Sequence, residues 1–140
     1  MAFLAPVDID ALNALRRGSM VEHLGITLTD AGTDWLRGTM PVDARTRQPF
    51  GILHGGASVA LAETLGSIAG SLCVDPASQR VVGLEINANH LRAVREGTVT
   101  GTARAVHVGR STQVWEIRIE NEDGKAVCIS RLTLAVVAAG

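Results

Sequence analysis

The 140-residue chain has only two cysteines, Cys73 and Cys128, each alone in an apolar run. Their scarcity and separation argue against a disulfide framework or a CxxC metal or redox pair, and predict two small core residues in a reducing compartment. An excess of charge of one sign is missing too. Acids and bases are mixed along the chain and the formal net charge is −1. There is therefore no basic footprint for nucleic acid and no polybasic patch for a membrane, and any bound anion has to be held by a few local arginines. No apolar run approaches transmembrane length, and the start, Met1-Ala2-Phe3-Leu4-Ala5-Pro6-Val7-Asp8, lacks the basic region and apolar length of a signal peptide. A cytoplasmic protein is expected. Repeats, low-complexity tracts and linkers are absent, and the length fits one domain spanning residues 1–140. His23, His90 and His107 have no partner at i, i+4, which argues against a metal site.

What is present divides into two patterns. Asp8-Ile9-Asp10-Ala11-Leu12-Asn13-Ala14-Leu15 offers a capping acid and helical spacing up to Gly18, predicting a short leading helix. Leu24 to Thr29 and Trp35 to Val42 read as strands joined by Asp30-Ala31-Gly32-Thr33-Asp34. An irregular stretch, Asp43 to Gly51, comes next; in it Pro49 removes a donor and biases Gln48 away from helix. Beyond Pro76 the period becomes two. Val82, Leu84, Ile86 and Ala88 alternate with Gly83, Glu85, Asn87 and Asn89, and Trp115, Ile117 and Ile119 alternate with Glu116, Arg118 and Glu120. Thr98 to Val108 and Ala126 to Val137 complete four half-buried strands, with Glu122-Asp123-Gly124 turning between the last two. One long helix beside an antiparallel sheet of about six strands is an α+β architecture.

That helix, Gly55 to Cys73, is apolar on all sides apart from a single charge, Glu63. Such a segment should be buried, where a carboxylate is costly unless it is paired or used. Glu63 is thus either a salt-bridged core acid or a working group. Gly55, Gly56, Gly66, Gly70 and several alanines weaken the helix, so packing must hold it and a sheet can approach closely. Helical spacing places Gly56, Val59, Ala60, Ser67 and Gly70 beside Glu63, a flat face that suits a pocket. His54 and Gln48 lie nine and fifteen residues upstream of Glu63, bringing an imidazole, an amide and exposed backbone N–H groups into play. Gly56-Ala57-Ser58-Val59-Ala60 falls one residue short of a nucleophile elbow, and no strand precedes it, which argues against Ser58 as a nucleophile.

Gln48-Pro49-Phe50-Gly51-Ile52-Leu53-His54-Gly55-Gly56-Ala57-Ser58 leading to Ala62-Glu63 resembles the signature of hotdog-fold acyl-CoA thioesterases. The similarity is to their aryl-CoA branch and extends from about Leu12 to Val137, including Met40-Pro41-Val42-Asp43 and Val82 to His90. It implies a hotdog fold, a long central helix wrapped by the sheet, and hydrolysis of an acyl-CoA of dihydroxynaphthoyl-CoA or benzoyl-CoA type to free acid and CoA. No cofactor or metal is implied. Under the resemblance Glu63 is the nucleophile or general base, Gln48 and the Gly55 N–H polarise the carbonyl, His54 lies near the thioester, and Ser67 helps orient water. A backbone N–H at a helix N-terminus is a preorganised partner for the negative charge that builds on a thioester oxygen. Gly83, the segment His90, Leu91, Arg92 and Ala93, and the loop His107, Val108, Gly109, Arg110, Ser111 and Thr112 correspond to CoA-holding positions, with Arg92 and Arg110 meeting phosphates. The carrier is CoA or an acyl carrier protein.

Gly55 and Glu63 are eight residues apart, about 12 Å along one helix axis, so both cannot reach one thioester carbon from a single chain. Two antiparallel copies set Glu63 of one against Gly55 of the other, which predicts a homodimer with shared sites. The resemblance implies a homotetramer built as a dimer of dimers. Two readings compete: a hotdog hydratase or dehydratase, which wants a His/Asp or His/Glu pair that no motif here supplies, and a non-catalytic acyl-CoA binding module.

Overall fold

Residues Gly55–Ser71 form a helix because a sheet closes around them, not because glycine and alanine runs are helical by themselves. The computed structural model describes residues 2–140. In chain order the elements are α1 (Ile9–Ala14), α2 (Met20–His23), β1 (Thr27–Ala31), β2 (Trp35–Pro41), α3 (Gly55–Ser71), β3 (Gln79–His90), β4 (Thr98–Val108), β5 (Thr112–Glu120) and β6 (Ala126–Ala138). All strands pair antiparallel in one six-stranded sheet of order β1-β2-β4-β5-β6-β3. The architecture is the expected one, with α3 laid across the sheet. No helix among the described residues is long and apolar enough to cross a membrane.

Close approach explains the glycines. A methyl at Gly66 would come within 2.6 Å of Leu132 Cδ2, and one at Gly101 within 2.8 Å of Leu65 Cδ1. With no Cβ in the way, Leu61 and Leu65 sink fully into the core against Ile117, Ile119, Leu132 and Leu134. Trp115 is buried under Phe3, with ring centroids 6.2 Å apart. Its indole N–H donates to Gln113 Oε1, and Gln113 Nε2 donates to the Gly70 carbonyl, so this buried amide is satisfied at both ends. Cys128 is buried and Cys73 half-buried, and neither is bonded to the other.

Four expectations need correction. A second short helix, α2, restarts after Gly18 (φ 75°), so the first strand begins at Thr27 and not at Leu24. The strands β3 and β5 begin earlier than their apolar alternation, at Gln79 and Thr112, because backbone pairing continues where the side chains are polar. The helix α3 is not buried all round: Ala57, Ser58, Leu61, Ala62, Leu65, Gly66, Ala69 and Gly70 face the sheet, while Gly56 and Glu63 are exposed. Gly70, two turns on from Glu63 and on the same side of the helix, is buried against Leu134 and Gln113 where Glu63 is exposed. Finally, the alternation along β3 marks an inner face only in its second half, where Ile86 and Ala88 are partly buried against the core. A bulge between Gly83 and Glu85 shifts the register, and Val82 and Leu84 are 43% and 60% exposed on what is an edge strand.

Leu65 makes the fold testable. Truncating this fully buried side chain leaves a cavity between α3 and β4, and Leu65→Ala is expected to cost about 2–5 kcal/mol in equilibrium urea unfolding. A change below about 1 kcal/mol would mean that the sheet collapses onto the helix more freely than its close contacts imply.

Candidate active site

The stretch from Thr46 to His54, irregular in its sequence, is a small hairpin. His54 N–H donates to the Thr46 carbonyl (2.8 Å), Arg47 and Leu53 form a bridge, and Gln48 N–H donates to the Ile52 carbonyl (2.8 Å). Its turn is closed by Gly51 N–H on the Gln48 carbonyl (3.0 Å), with Pro49 in the position its fixed φ suits and Gly51 at φ 86°. The Phe50 N–H donates to Gln48 Oε1. An N–H needs an oxygen acceptor, so the Gln48 amide nitrogen is the end left to donate elsewhere.

The hairpin leads directly into α3 through its cap. His54 is extended (φ −68°, ψ 130°), and its Nδ1 accepts from the Gly56 N–H at 2.7 Å. An accepting Nδ1 places the proton of the neutral ring on Nε2. The His54 carbonyl takes the Ala57 and Ser58 N–H groups at 3.0 and 3.2 Å. One donor of the first turn, the Gly55 N–H, is left without a partner among the described residues.

Gln48, Gly55 and Ser58 line one cleft of about 430 Å³ together with His90, Leu91, Arg92 and Ala93. Here the His90 imidazole lies against Gly55, where a methyl group would come within 2.8 Å of its Nε2, so a side chain at position 55 would displace the His90 ring. Ser58, dismissed as a nucleophile from its sequence context, is buried and lines the cleft from the first turn of the helix. Only its position one turn above Gly55 could have signalled this.

Glu63 is elsewhere. It is exposed, takes part in no ion pair among the described residues, and lies beside β3, where a methyl at Gly83 would stand 3.1 Å from its Oε2. Ser67, half-buried, follows one turn along the same face. The segment His107 to Thr112 is also separate from the cleft: it is the β4–β5 turn, closed by the Gly109 N–H on the Thr112 carbonyl (2.8 Å), with Arg110 exposed. A single chain thus joins Gln48, Gly55 and His90 to Ala93, and leaves Glu63, Gly83 and the second loop apart.

One ion pair lies beside the hairpin. Arg45 meets Asp43 at 2.7 Å and holds its carboxyl down at about 2, through its side chain first and its backbone N–H second. Burial pushes the Cys73 thiol up to about 11, which keeps it protonated and a poor nucleophile near neutral pH. Among the described residues no three His, Cys, Asp or Glu side chains converge as a metal set.

Residues 50–128 match the thioesterase superfamily. The chain is 53% identical to the 1,4-dihydroxy-2-naphthoyl-CoA hydrolase of Escherichia coli, over 98% of this chain and all of that protein. It is 57% identical to the proofreading thioesterase EntH of Cronobacter sakazakii, over 94% of this chain and 95% of that one. Among solved structures, a mutant thioesterase from Pseudomonas aeruginosa superposes with a TM-score of 0.98 at 52% identity, covering 99% of this chain and all of that chain.

The His54 cap carries its own prediction. His54→Ala removes the acceptor of the Gly56 N–H and is expected to cost about 0.5–2 kcal/mol, while His54→Asn, a good capping residue, recovers most of that loss in thermal denaturation. Equal stability of the alanine variant and the parent would show that the cap contributes nothing.

Proposed function

This chain belongs to the thioesterase superfamily and is an acyl-CoA thioesterase, and from that premise we propose that it hydrolyses an aryl-CoA, of dihydroxynaphthoyl-CoA or benzoyl-CoA type, at sites shared between two subunits. The observation that carries the shared site is the separation, on one helix, of an unpartnered Gly55 N–H from the lone carboxylate Glu63. At 1.5 Å per residue they stand about 12 Å apart. A thioester carbon needs both within contact.

In the proposed dimer, Gln48 Nε2 and the Gly55 N–H of one subunit hold the thioester oxygen. Glu63 approaches the carbon from the other. As the tetrahedral intermediate forms, charge develops on that oxygen, and donors fixed beforehand by a hairpin and a helix end stabilise it without reorganising. The positive end of the helix dipole adds to this. Glu63 either attacks the carbonyl carbon, giving an anhydride that water then opens, or takes a proton from a water that attacks directly; Ser67 orients that water. In both routes the C–S bond breaks, CoA leaves as its thiolate, and the acid is released. We assign Gly83, His90 to Ala93 and His107 to Thr112 to CoA, with Arg92 in the cleft the cation best placed for a phosphate.

A second copy is supported by the surface left open. Gly56 and Glu63 on α3, and Val82 and Leu84 on β3, are exposed side by side at the one long sheet edge, where unpaired strand groups invite a partner. A twofold there covers the apolar strip. Pairing of two such dimers would give the proposed tetramer.

Kinetics on purified protein test the assignment. Glu63→Gln keeps the fold and lowers kcat at least about a hundredfold, since an amide is a poor base and nucleophile; near-parental turnover would remove Glu63 from the chemistry. Gln48→Ala lowers kcat by about ten- to a thousandfold, the range for one oxyanion donor, whereas a rise in KM alone would make Gln48 a binding residue. Across benzoyl, phenylacetyl, naphthoyl and aliphatic CoA esters with thiol detection, aryl esters have the highest kcat/KM, and a preference for straight chains would refute the aryl reading. In a single turnover in heavy-oxygen water, label in Glu63 marks the anhydride route, and label in the product alone marks direct attack by water.

A further inference from the structure

Thr46 looks unremarkable between two arginines, yet it is 1% exposed, one of few buried polar residues in the chain. Every polar group it has is used. Its hydroxyl donates to the Pro41 carbonyl at the end of β2 (2.7 Å) and accepts from the Asp43 N–H (3.1 Å). Its own N–H donates to the Asp43 carbonyl (3.0 Å), and its carbonyl receives the His54 N–H (2.8 Å). One residue therefore ties the end of a core strand, the turn after it and the residue that caps α3.

The groups that depend on this knot are the two donors. Gln48 is two residues beyond Thr46 on one arm of the hairpin, and Gly55 follows His54 on the other. The far end of the hairpin, around Pro49 and Phe50, is exposed, with Phe50 at 85%. The base of the hairpin is anchored on one arm by Thr46 and by Arg47, whose N–H donates to the Asp43 carbonyl (2.9 Å) and whose Nε donates to the Arg95 carbonyl (3.0 Å), and on the other by the Leu53 N–H on the Val94 carbonyl (2.7 Å). A shift at the base moves Gln48 and the Gly55 N–H together, and a displacement of a few tenths of an ångström is enough to weaken hydrogen bonds to a developing oxyanion.

We infer that Thr46 is a positioning residue, whose hydroxyl sets the register of the hairpin and thereby the aim of Gln48 and the Gly55 N–H at the thioester oxygen. The inference rests on the donor roles proposed above. Because such a residue acts on the transition state and not on substrate affinity, its loss falls on kcat. Thr46→Val keeps the volume and removes the hydroxyl, leaving the Pro41 carbonyl and Asp43 N–H without their partner.

The test is a double-mutant cycle with the preferred CoA ester. Thr46→Val is expected to lower kcat about five- to fiftyfold with KM within about twofold, and Thr46→Ser, which restores the hydroxyl, to return kcat to within about twofold of the parent. In the Gln48→Ala background the Thr46→Val factor is smaller than in the parent, because one of the two donors it aims is gone and only the Gly55 N–H remains to be displaced. Where Thr46→Val does not fold, Thr46→Cys, with its weaker S–H donor, takes its place in the same cycle and moves kcat in the same direction. An unchanged kcat, failure of Thr46→Ser to rescue, or an equal factor in both backgrounds overturns the positioning role while leaving Gln48 as a donor. If Gln48→Ala itself leaves kcat unchanged, the donor reading fails first and the role of Thr46 falls with it.

Discussion

An α-helix advances 1.5 Å per residue, and this fixed rise is the constraint from which the proposed site follows. The helix α3 carries its free N–H at Gly55 and its only charge at Glu63, eight residues on. No rotamer closes a gap of about 12 Å. In the proposed site the chain therefore supplies one half at each end of that interval. One half is the cleft of Gln48, Gly55 and His90; the other is Glu63 against Gly83, with Ser67 one turn further on. An exposed carboxylate costs a lone chain little, and it gains effect only when a second surface covers it and excludes water.

The start of α3 shows how a fold prepares a donor without holding it in reserve by strain. A helix N-terminus has more N–H groups than its own carbonyls can satisfy. His54 takes up the Gly56 N–H through its ring and those of Ala57 and Ser58 through its carbonyl, leaving the Gly55 N–H alone. The cap thus does two things: it steadies the helix, and it selects which N–H remains. The His90 ring lies over Gly55, close enough that a Cβ there would push it aside. On the neighbouring hairpin the Gln48 oxygen is taken by Phe50, which fixes which end of the amide can donate. Both donors are oriented before anything binds.

Much of this was readable in the residues. Period-two alternation located β5, the stretches Thr98 to Val108 and Ala126 to Val137 are strands as expected, Asp8 announced α1 and its side chain does accept the Ala11 N–H, and Gly124 with φ 76° closes the last turn as its neighbours suggested. The lone Glu63 stood out because a single charge in an apolar helix is costly to ignore. What escaped was whatever depended on partners outside the local sequence. Val82 and Leu84 read as core because alternation records that a face is apolar, without recording what covers it. The helix α3 read as buried all round for the same reason. Thr46 and the hairpin pairs were invisible because a threonine between arginines has the composition of a surface loop, and only its long-range hydrogen bonds show otherwise.

Mixing two disabled subunits tests the shared site most directly. Glu63→Gln and Gln48→Ala chains, each nearly inactive, are unfolded, combined in equal amounts and refolded, with exchange verified by mass spectrometry. A mixed dimer holds one site with both lesions and one with neither. Random reassortment gives about half the dimers in mixed form, and so about a quarter of wild-type activity is regained. If Glu63 and Gln48 served one thioester from the same chain, every site would keep a lesion, and a mixture as weak as its parents would contradict the account.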